Sequence, residues 1–364
     1  MSHDPQRPYQ DLPPLPPQTE LETPLVLKKT VAASRALARL DGACKRLPDP
    51  TMLINLIPLL EAQASSEIEN IVTTNDELFK AATGTFTNIS PQTKEALRYR
   101  EALRGGFDSL PEHPITTKTA LEVCSTIHGR PARIRNTPGT YIGNPATKER
   151  TYTPPEGKDT ILRHMSNWEK FVHSQTDLDP LVLMAVAHYQ FEAIHPFYDG
   201  NGRTGRILNL LLLIEKGLLE LPIIYLSGHI LRHKETYYDL LNQVTREEAW
   251  EAWILFMLAG VESTATWTLN IVEETDRLRL STLEKIRESS PRLPATELAQ
   301  LLFTQPYLRI DNVVDAGLAK RQTASSWLNE LSENGVLIRE KIGRHVVFVN
   351  HLLLDKLFIT ELPD

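Results

Sequence analysis

The chain has 364 residues, 41% of them hydrophobic, with 46 acidic against 39 basic side chains and a formal net charge of −7. That length suggests two or three domains and the composition a full globular core, while the acidic balance does not advertise nucleic-acid binding. The only cysteines, Cys44 and Cys124, fit no disulfide or zinc framework, so a reducing cytoplasmic setting is expected.

The opening MSHDPQRPYQDLPPLPPQTE has neither a charged n-region nor an apolar h-region, so it is not read as a signal peptide. Its prolines imply an extended arm, lying on the domain or loose in solvent. In TMLINLIPLLEAQASSEIEN, residues 51–70, apolar residues at Leu53, Ile57, Leu60, Ala64 and Ile68 predict a helix. Pro58 falls inside it and predicts a kink or restart. Asn70 is placed to close it in the left-handed conformation. Ser65 and Glu69 are four apart and share a face. Taken alone, this is an amphipathic helix ending in solvated acids.

The stretch Arg135 to Gly157 holds the breakers Pro138-Gly139 and Pro154-Pro155. Thr140 to Ile142 and Arg150 to Thr153 then read as two short strands of a surface hairpin. DPLVLMAVAHYQFEAI, Asp179 to Ile194, reads as a helix with Asp179 as N-cap and Pro180 at its first position.

Next comes HPFYDGNGRTGR, His195 to Arg206. His195 can exchange a proton near neutral pH. Asp199 offers a hard oxygen ligand of the kind Mg²⁺ prefers. Gly200 and Gly202 let backbone N–H groups face an anion, and Arg203 and Arg206 bring forks suited to phosphate oxygens. ILNLLLLIEKGLLE, Ile207 to Glu220, reads as a buried helix, giving the order helix, anion loop, helix. Gly200, Gly202 and Gly205 match a dinucleotide fingerprint, with Glu220 near the place of its acid. The preceding segment is helical, however, and that fingerprint requires a strand there. A Walker A reading lacks its Gly-Lys-Ser/Thr ending. His188 and His195 are seven apart, which is not a zinc-ligand spacing. The densest apolar run, after Arg206, is interrupted at Asn209, and none reaches about 18 residues, so no membrane span is expected.

KETYYDLLNQV, Lys234 to Val244, has helical spacing, and Val261 to Glu288 reads as a long polar helix closed by the break Ser289-Ser290-Pro291. Helices in ATELAQLLFTQ, RIDNVVDAG and KRQTASSWLNELSENG precede VLIREKIGRHVVFVN, a hairpin with Gly343 at its turn. Three helices and a hairpin resemble a winged helix. Its recognition helix would start at Lys320, and Arg339, Lys341, Arg344 and His345 would decorate the wing. Such domains bind DNA or proteins, and both readings stay open.

His195 to Arg206 resembles the Fic signature HPFx(D/E)GNGRxxR at every defined position. The resemblance implies a protein adenylyltransferase, which moves AMP from ATP to a hydroxyl side chain of a target protein and of its own chain. His195 would be the general base and Phe197 the core anchor of the loop. Asp199 would bind Mg²⁺. Gly200, Asn201 and Gly202 would cradle phosphates, with Arg203 on the β-phosphate and Arg206 on the γ-phosphate. Thr204 and Gly205 complete the ATP-binding run. Phosphocholine or phosphate transfer occurs in some relatives; Asp199 and the intact GNGR favour AMP. Ser65-x-x-x-Glu69-Asn70 resembles the family's inhibitory motif, in which Glu69 would pair with Arg206 and take the place of the γ-phosphate. The hairpin resembles the Fic flap, with a target chain docking along residues 138–154. Tyr237 and Tyr238 either line an adenine pocket, as aromatics do in the family, or pack at a helix contact. Asn242 and Thr245 stand nearby as adenine candidates.

The expected architecture is mostly α, a Fic-type helical core with a β-hairpin flap followed by a C-terminal winged-helix domain. Its parts are a Pro-rich arm (1–24), an N-terminal helical region with the inhibitory helix (25–110), the catalytic core (111–270), a linker helix (271–292) and the winged helix (293–364). Family habit allows a homodimer. The alternative from another class is a transcriptional regulator whose Fic core senses nucleotide, with DNA bound by the winged helix.

Overall fold

The computed structural model describes residues 4–47, 49–84, 89–144, 149–174, 177–342 and 345–359. Helices come first: α1 (Pro24–Cys44), α2 (Thr51–Ile68), α3 (Asn75–Ala82), α4 (Pro91–Ser109) and α5 (Thr117–His128). A short antiparallel hairpin, β1 (Ile142–Asn144) and β2 (Glu149–Tyr152), follows. Then come α6 (Lys158–His173), α7 (Pro180–Ile194), α8 (Asn201–Glu215), α9 (Leu226–Arg232), α10 (Lys234–Glu247) and α11 (Trp250–Ser289). The C-terminal region has α12 (Ala295–Thr304), β3 (Tyr307–Leu308), α13 (Ile310–Asp315), α14 (Arg321–Glu333), β4 (Ile338–Ile342), β5 (His345–Val349) and α15 (His351–Ile359). Its sheet has the order β3-β5-β4, antiparallel throughout. The structure is thus mostly α, as the sequence predicts.

The site is built on α7 and α8, which pack against each other at the centre of the core. From Leu181 to Ile194 every α7 residue except Glu192 is buried. Such a helix, apolar all round, belongs inside. Its start follows the expected cap: the Asp179 carboxylate accepts from the Leu181 N–H at 2.8 Å, with Pro180 in the first turn. In α2 the predicted face is the buried one, with Leu53, Ile57, Leu60, Ala64 and Ile68 all at 2% exposure or less, and the helix runs on through Pro58.

Two expectations shift, and one that the sequence leaves open is decided. The helix placed at Val261 starts at Trp250 and runs 40 residues, about 60 Å at the usual helical rise. By length and hydropathy α11 could cross a membrane, but Trp253, Ile254, Met257, Leu258 and Val261 are core residues of the fold. The hairpin strands sit a step away from the expected positions: Thr140 and Tyr141 precede β1, and the pairing slips between Ile142 and Gly143. The Pro-rich arm lies on the core, with Leu12, Leu15 and Leu21 buried. The Asn167 side chain grips it, bonding the Leu15 N–H and carbonyl at 2.7 and 2.9 Å, and the Tyr9 N–H donates to the Thr153 carbonyl at 3.0 Å.

The three C-terminal helices and the hairpin lie where the sequence places them, with β3 and α15 as additions. Arg339 and Lys341 lie on β4 and His345 begins β5, whereas Gly343 and Arg344 lie outside the described residues. Residues 145–148 of the first hairpin also lie outside them.

Candidate active site

α7 ends on His195, whose backbone is left-handed (φ 50°, ψ 59°) while its N–H still donates to the Phe191 carbonyl at 3.0 Å. A non-glycine residue there is strained by roughly 1–2 kcal/mol, so the surroundings must hold it. Phe197 is buried beside Phe191, and the Asn201 side chain accepts from the Phe197 N–H (2.8 Å) and donates to its carbonyl (2.9 Å). Gly200 (φ 79°) then caps α8.

The expected loop is therefore shorter than predicted. α8 begins at Asn201, six residues before Ile207, and ends at Glu215. Gly202 to Arg206 lie in its first two turns, so the backbone groups available to an anion are the first free N–H groups of a helix. The Asn201 side chain is committed to Phe197, which leaves only its backbone N–H free to meet an anion. Asn201→Ala should unpair two backbone groups and destabilise the fold by about 1–3 kcal/mol. A denaturant midpoint unchanged from wild type would refute that role.

Glycines in these turns admit close neighbours. A Cβ on Gly202 would fall 2.3 Å from Glu69 Oε1, and one on Gly205 2.4 Å from Glu192 Oε1. The run reads as a loop because glycine is a poor helix former, yet tertiary approach requires glycine here.

Arg206 is 1% exposed. Its Nε donates to Ser65 Oγ at 2.8 Å, and its Nη2 to the Ser65 carbonyl at 2.9 Å and to Glu69 Oε1 at 2.8 Å. Asn70 is left-handed (φ 61°), as expected for the end of α2, and its side chain accepts from Lys234. One turn before Ser65, the buried Glu61 carboxylate accepts from Tyr99 OH on α4 (3.0 Å) and from the Ser227 N–H on α9 (2.9 Å). These bonds fix the height of α2 over Arg206.

Arg203, also 1% exposed, pairs with Glu95 on α4 and lies 3.8 Å from Asp199. Asp199 is largely exposed, with Oδ1 accepting from the Gly200 N–H at 2.7 Å. Among the described residues no group of three or more His, Cys, Asp or Glu side chains could hold a metal alone. A single exposed carboxylate suits Mg²⁺ that arrives on substrate phosphates and keeps several waters, so the donor set fits the expected ion.

Burial, then the charge of Arg135, push His195 down to about 4, against the opposing pull of Glu69 and Asp199. The imidazole is accordingly neutral at pH 7, and its Nδ1 is buried with no hydrogen-bond partner among the described residues. Burial pushes Glu192 up to about 8, with Arg206 lowering it and Glu69 raising it, so this carboxyl is neutral too.

The two tyrosines part company. Tyr238 lines a cavity of about 450 Å³ with Glu192, Asn242 and Thr245, facing Ile142 and Thr151 of the hairpin. Tyr237 is 1% exposed, hydrogen-bonded to His188 at 2.9 Å and packed on Trp253.

The sequence reading missed Glu61, Glu95, Arg135 and Glu192. Glu61 and Glu192 left a signal, an acid set among the apolar residues of a helix. Glu95 and Arg135 are ordinary charged residues in their own segments and left none.

Three family models match the chain: Fic/DOC family N-terminal over residues 27–108, Fic/DOC family over 114–213, and the protein adenylyltransferase SoFic-like C-terminal domain over 278–353. A probable protein adenylyltransferase of Aquifex aeolicus is 34% identical over 90 residues, 25% of each chain. Protein adenylyltransferase Fic of Culex quinquefasciatus is 37% identical over 112 residues, 30% of this chain and 21% of that one. The match thus spans a quarter or less of these curated relatives. In fold, the chain resembles a Fic family protein from Desulfovibrio desulfuricans, with a TM-score of 0.57 at 18% identity over 92% of this chain and 98% of that one.

Proposed function

Since the chain belongs to the Fic/DOC family, we propose that it is a protein adenylyltransferase, held inactive by its own α2. The observation that carries this reading is one helix start at which a neutral His195, an exposed Asp199 and two buried arginines converge. The target hydroxyl oxygen attacks the α-phosphorus of ATP, and its proton passes to the His195 imidazole. The bond from the α-phosphorus to the bridging oxygen breaks, and pyrophosphate leaves. Such a transfer depends on position and charge more than on covalent help. Arg203, Arg206 and the first α8 amides neutralise the pyrophosphate, and Mg²⁺ on Asp199 would add charge neutralisation at the phosphates. Tyr238, Asn242 and Thr245, which line one cavity, are the side chains this reading assigns to the base of the nucleotide.

Glu69 occupies the Arg206 fork that the γ-phosphate needs. ATP meeting this state is denied that anchor, so its α-phosphate is poorly aligned for in-line attack.

The test is label transfer to protein by the Glu69→Gly chain from ATP marked at the α-phosphate, with Mg²⁺, set beside ATP marked at the γ-phosphate. Label from the α-position alone is expected. Label from the γ-position alone would replace AMP transfer by phosphate transfer.

The β1–β2 hairpin is the docking edge in this reading, where an extended target segment adds by strand pairing. Ile142→Pro should cut target modification about tenfold more than it cuts ATP affinity. Equal loss of both, measured by labelling and calorimetry, would remove the docking role.

A further inference from the structure

Arg135 is 0% exposed and forms no salt bridge among the described residues, with Glu156 the carboxylate whose charge bears on it. A buried cation without a directly paired carboxylate is costly unless its donors are used. Here Nε and Nη2 are spent on backbone carbonyls, while Nη1 is buried with no hydrogen-bond partner among the described residues. Nε donates to the His195 carbonyl at 2.6 Å, and Nη2 to the Ile194 carbonyl at 3.1 Å and the Pro155 carbonyl at 2.5 Å. The residue's own N–H donates to the Pro196 carbonyl at 3.0 Å. Three consecutive carbonyls, Ile194 to Pro196, are therefore held by one residue, across the strained turn that presents His195. The fourth, Pro155, lies just past the end of β2 on the other side of the cleft.

We propose that Arg135 is a positioning residue for His195, clamping the left-handed catalytic turn and the exit of the docking hairpin into one rigid unit. The proposal rests on the reading of His195 as general base. Its physical logic is geometric. The base sits on α7, and the target backbone would sit on β1–β2. Tyr152 of β2 also reaches α7, its OH donating to the Ala193 carbonyl at 2.8 Å, but the planar fork reaches the turn itself, and a fork with several fixed donors can hold several acceptors at once where an ammonium cannot. The same guanidinium acts on the imidazole electrostatically. The charged groups that bear on His195 are Arg135 from the segment before the hairpin, Glu69 from the end of α2 and Asp199 from its own turn. Arg135 is the one that favours the neutral ring.

The experiment uses the full-length chain with Glu69→Gly as the unlocked parent, adding Arg135→Lys or Arg135→Gln. Four quantities are read: AMP-transfer rate per folded molecule, ATP affinity by calorimetry, the His195 titration by NMR, and the melting temperature. Arg135→Lys keeps the charge and loses the fork; its transfer rate should fall about 10- to 100-fold with ATP affinity within about threefold, and His195 should titrate as in the parent. Arg135→Gln should lose at least as much rate, and His195 should titrate at higher pH. Transfer rates within about threefold of the parent in both variants, with an unmoved His195, would overturn the proposal and leave Arg135 a folding residue. Should Arg135→Gln fail to fold, the rate and ATP affinity of Arg135→Lys decide alone. A parent that transfers no AMP would sink the adenylyltransferase reading instead, and the His195 titration in Arg135→Gln would still test the clamp.

Discussion

Glu69→Gly should raise AMP transfer to protein about 30- to 150-fold, the equivalent of about 2–3 kcal/mol. Breaking a fully buried Arg–carboxylate pair costs about 3–5 kcal/mol. Arg206 is buried, but the Glu69 side chain is 33% exposed, so solvent screening lowers the figure. Glycine suits the site because residue 69 stands at the C-cap of α2, where it cannot interrupt the helix. Arg206 keeps its two bonds to Ser65, so the variant does not strand a buried cation. Ser65→Ala, which removes one of those bonds and spares the ion pair, should release the enzyme about tenfold or less. Labelling rates at saturating ATP measure both. A Glu69→Gly rate within about twofold of wild type on every acceptor would eliminate the lock.

In the unlocked chain, His195→Ala should lower transfer by about 10²–10⁴-fold, the usual worth of a positioned general base. ATP affinity should stay within about threefold, since the proposed reading assigns the phosphates to Arg203, Arg206 and the start of α8 rather than to His195. The pH profile adds an independent check. His195 is lowered to about 4, so the base form persists as pH falls and is lost only on approaching that value. Removing Glu69, which raises the imidazole, moves the loss lower still. Transfer at limiting substrate should therefore show no acid limb between pH 8 and about 5. A limb near 6.5 would mean that the ring is solvated in the working enzyme. A double mutant that still labels at the parent rate would remove His195 from the chemistry.

Much of this was legible because it is local. Asp179 before Pro180, and the apolar face from Leu53 to Ile68, settle where α7 and α2 lie without knowledge of the rest of the chain. The motif brings its own chemistry in twelve consecutive residues. What escaped depends on neighbours distant in sequence. α8 starts early because Glu69 and Glu192 must approach the helix at Gly202 and Gly205, a demand that local propensity opposes. β3 has two residues and exists by pairing with β5, some forty positions on. Glu95 and Arg135 acquire meaning only when α4 and the hairpin exit close around the site. Whether the Pro-rich arm was bound or loose was open in the sequence, since an extended chain has no periodicity to match to a surface.

That arm has a bearing on where the folding unit begins. The family match opens at residue 27, after Leu12, Leu15 and Leu21, which are all buried. A chain cut at that point would leave bare the surface these leucines cover, and Asn167 would lose both of its backbone partners. The Tyr9 N–H and the Pro5 carbonyl, which bond Thr153 at the hairpin exit, would go as well. A boundary drawn by likeness to relatives thus cuts through a cooperative unit, and an active-site study on such a fragment would begin from a loosened hairpin.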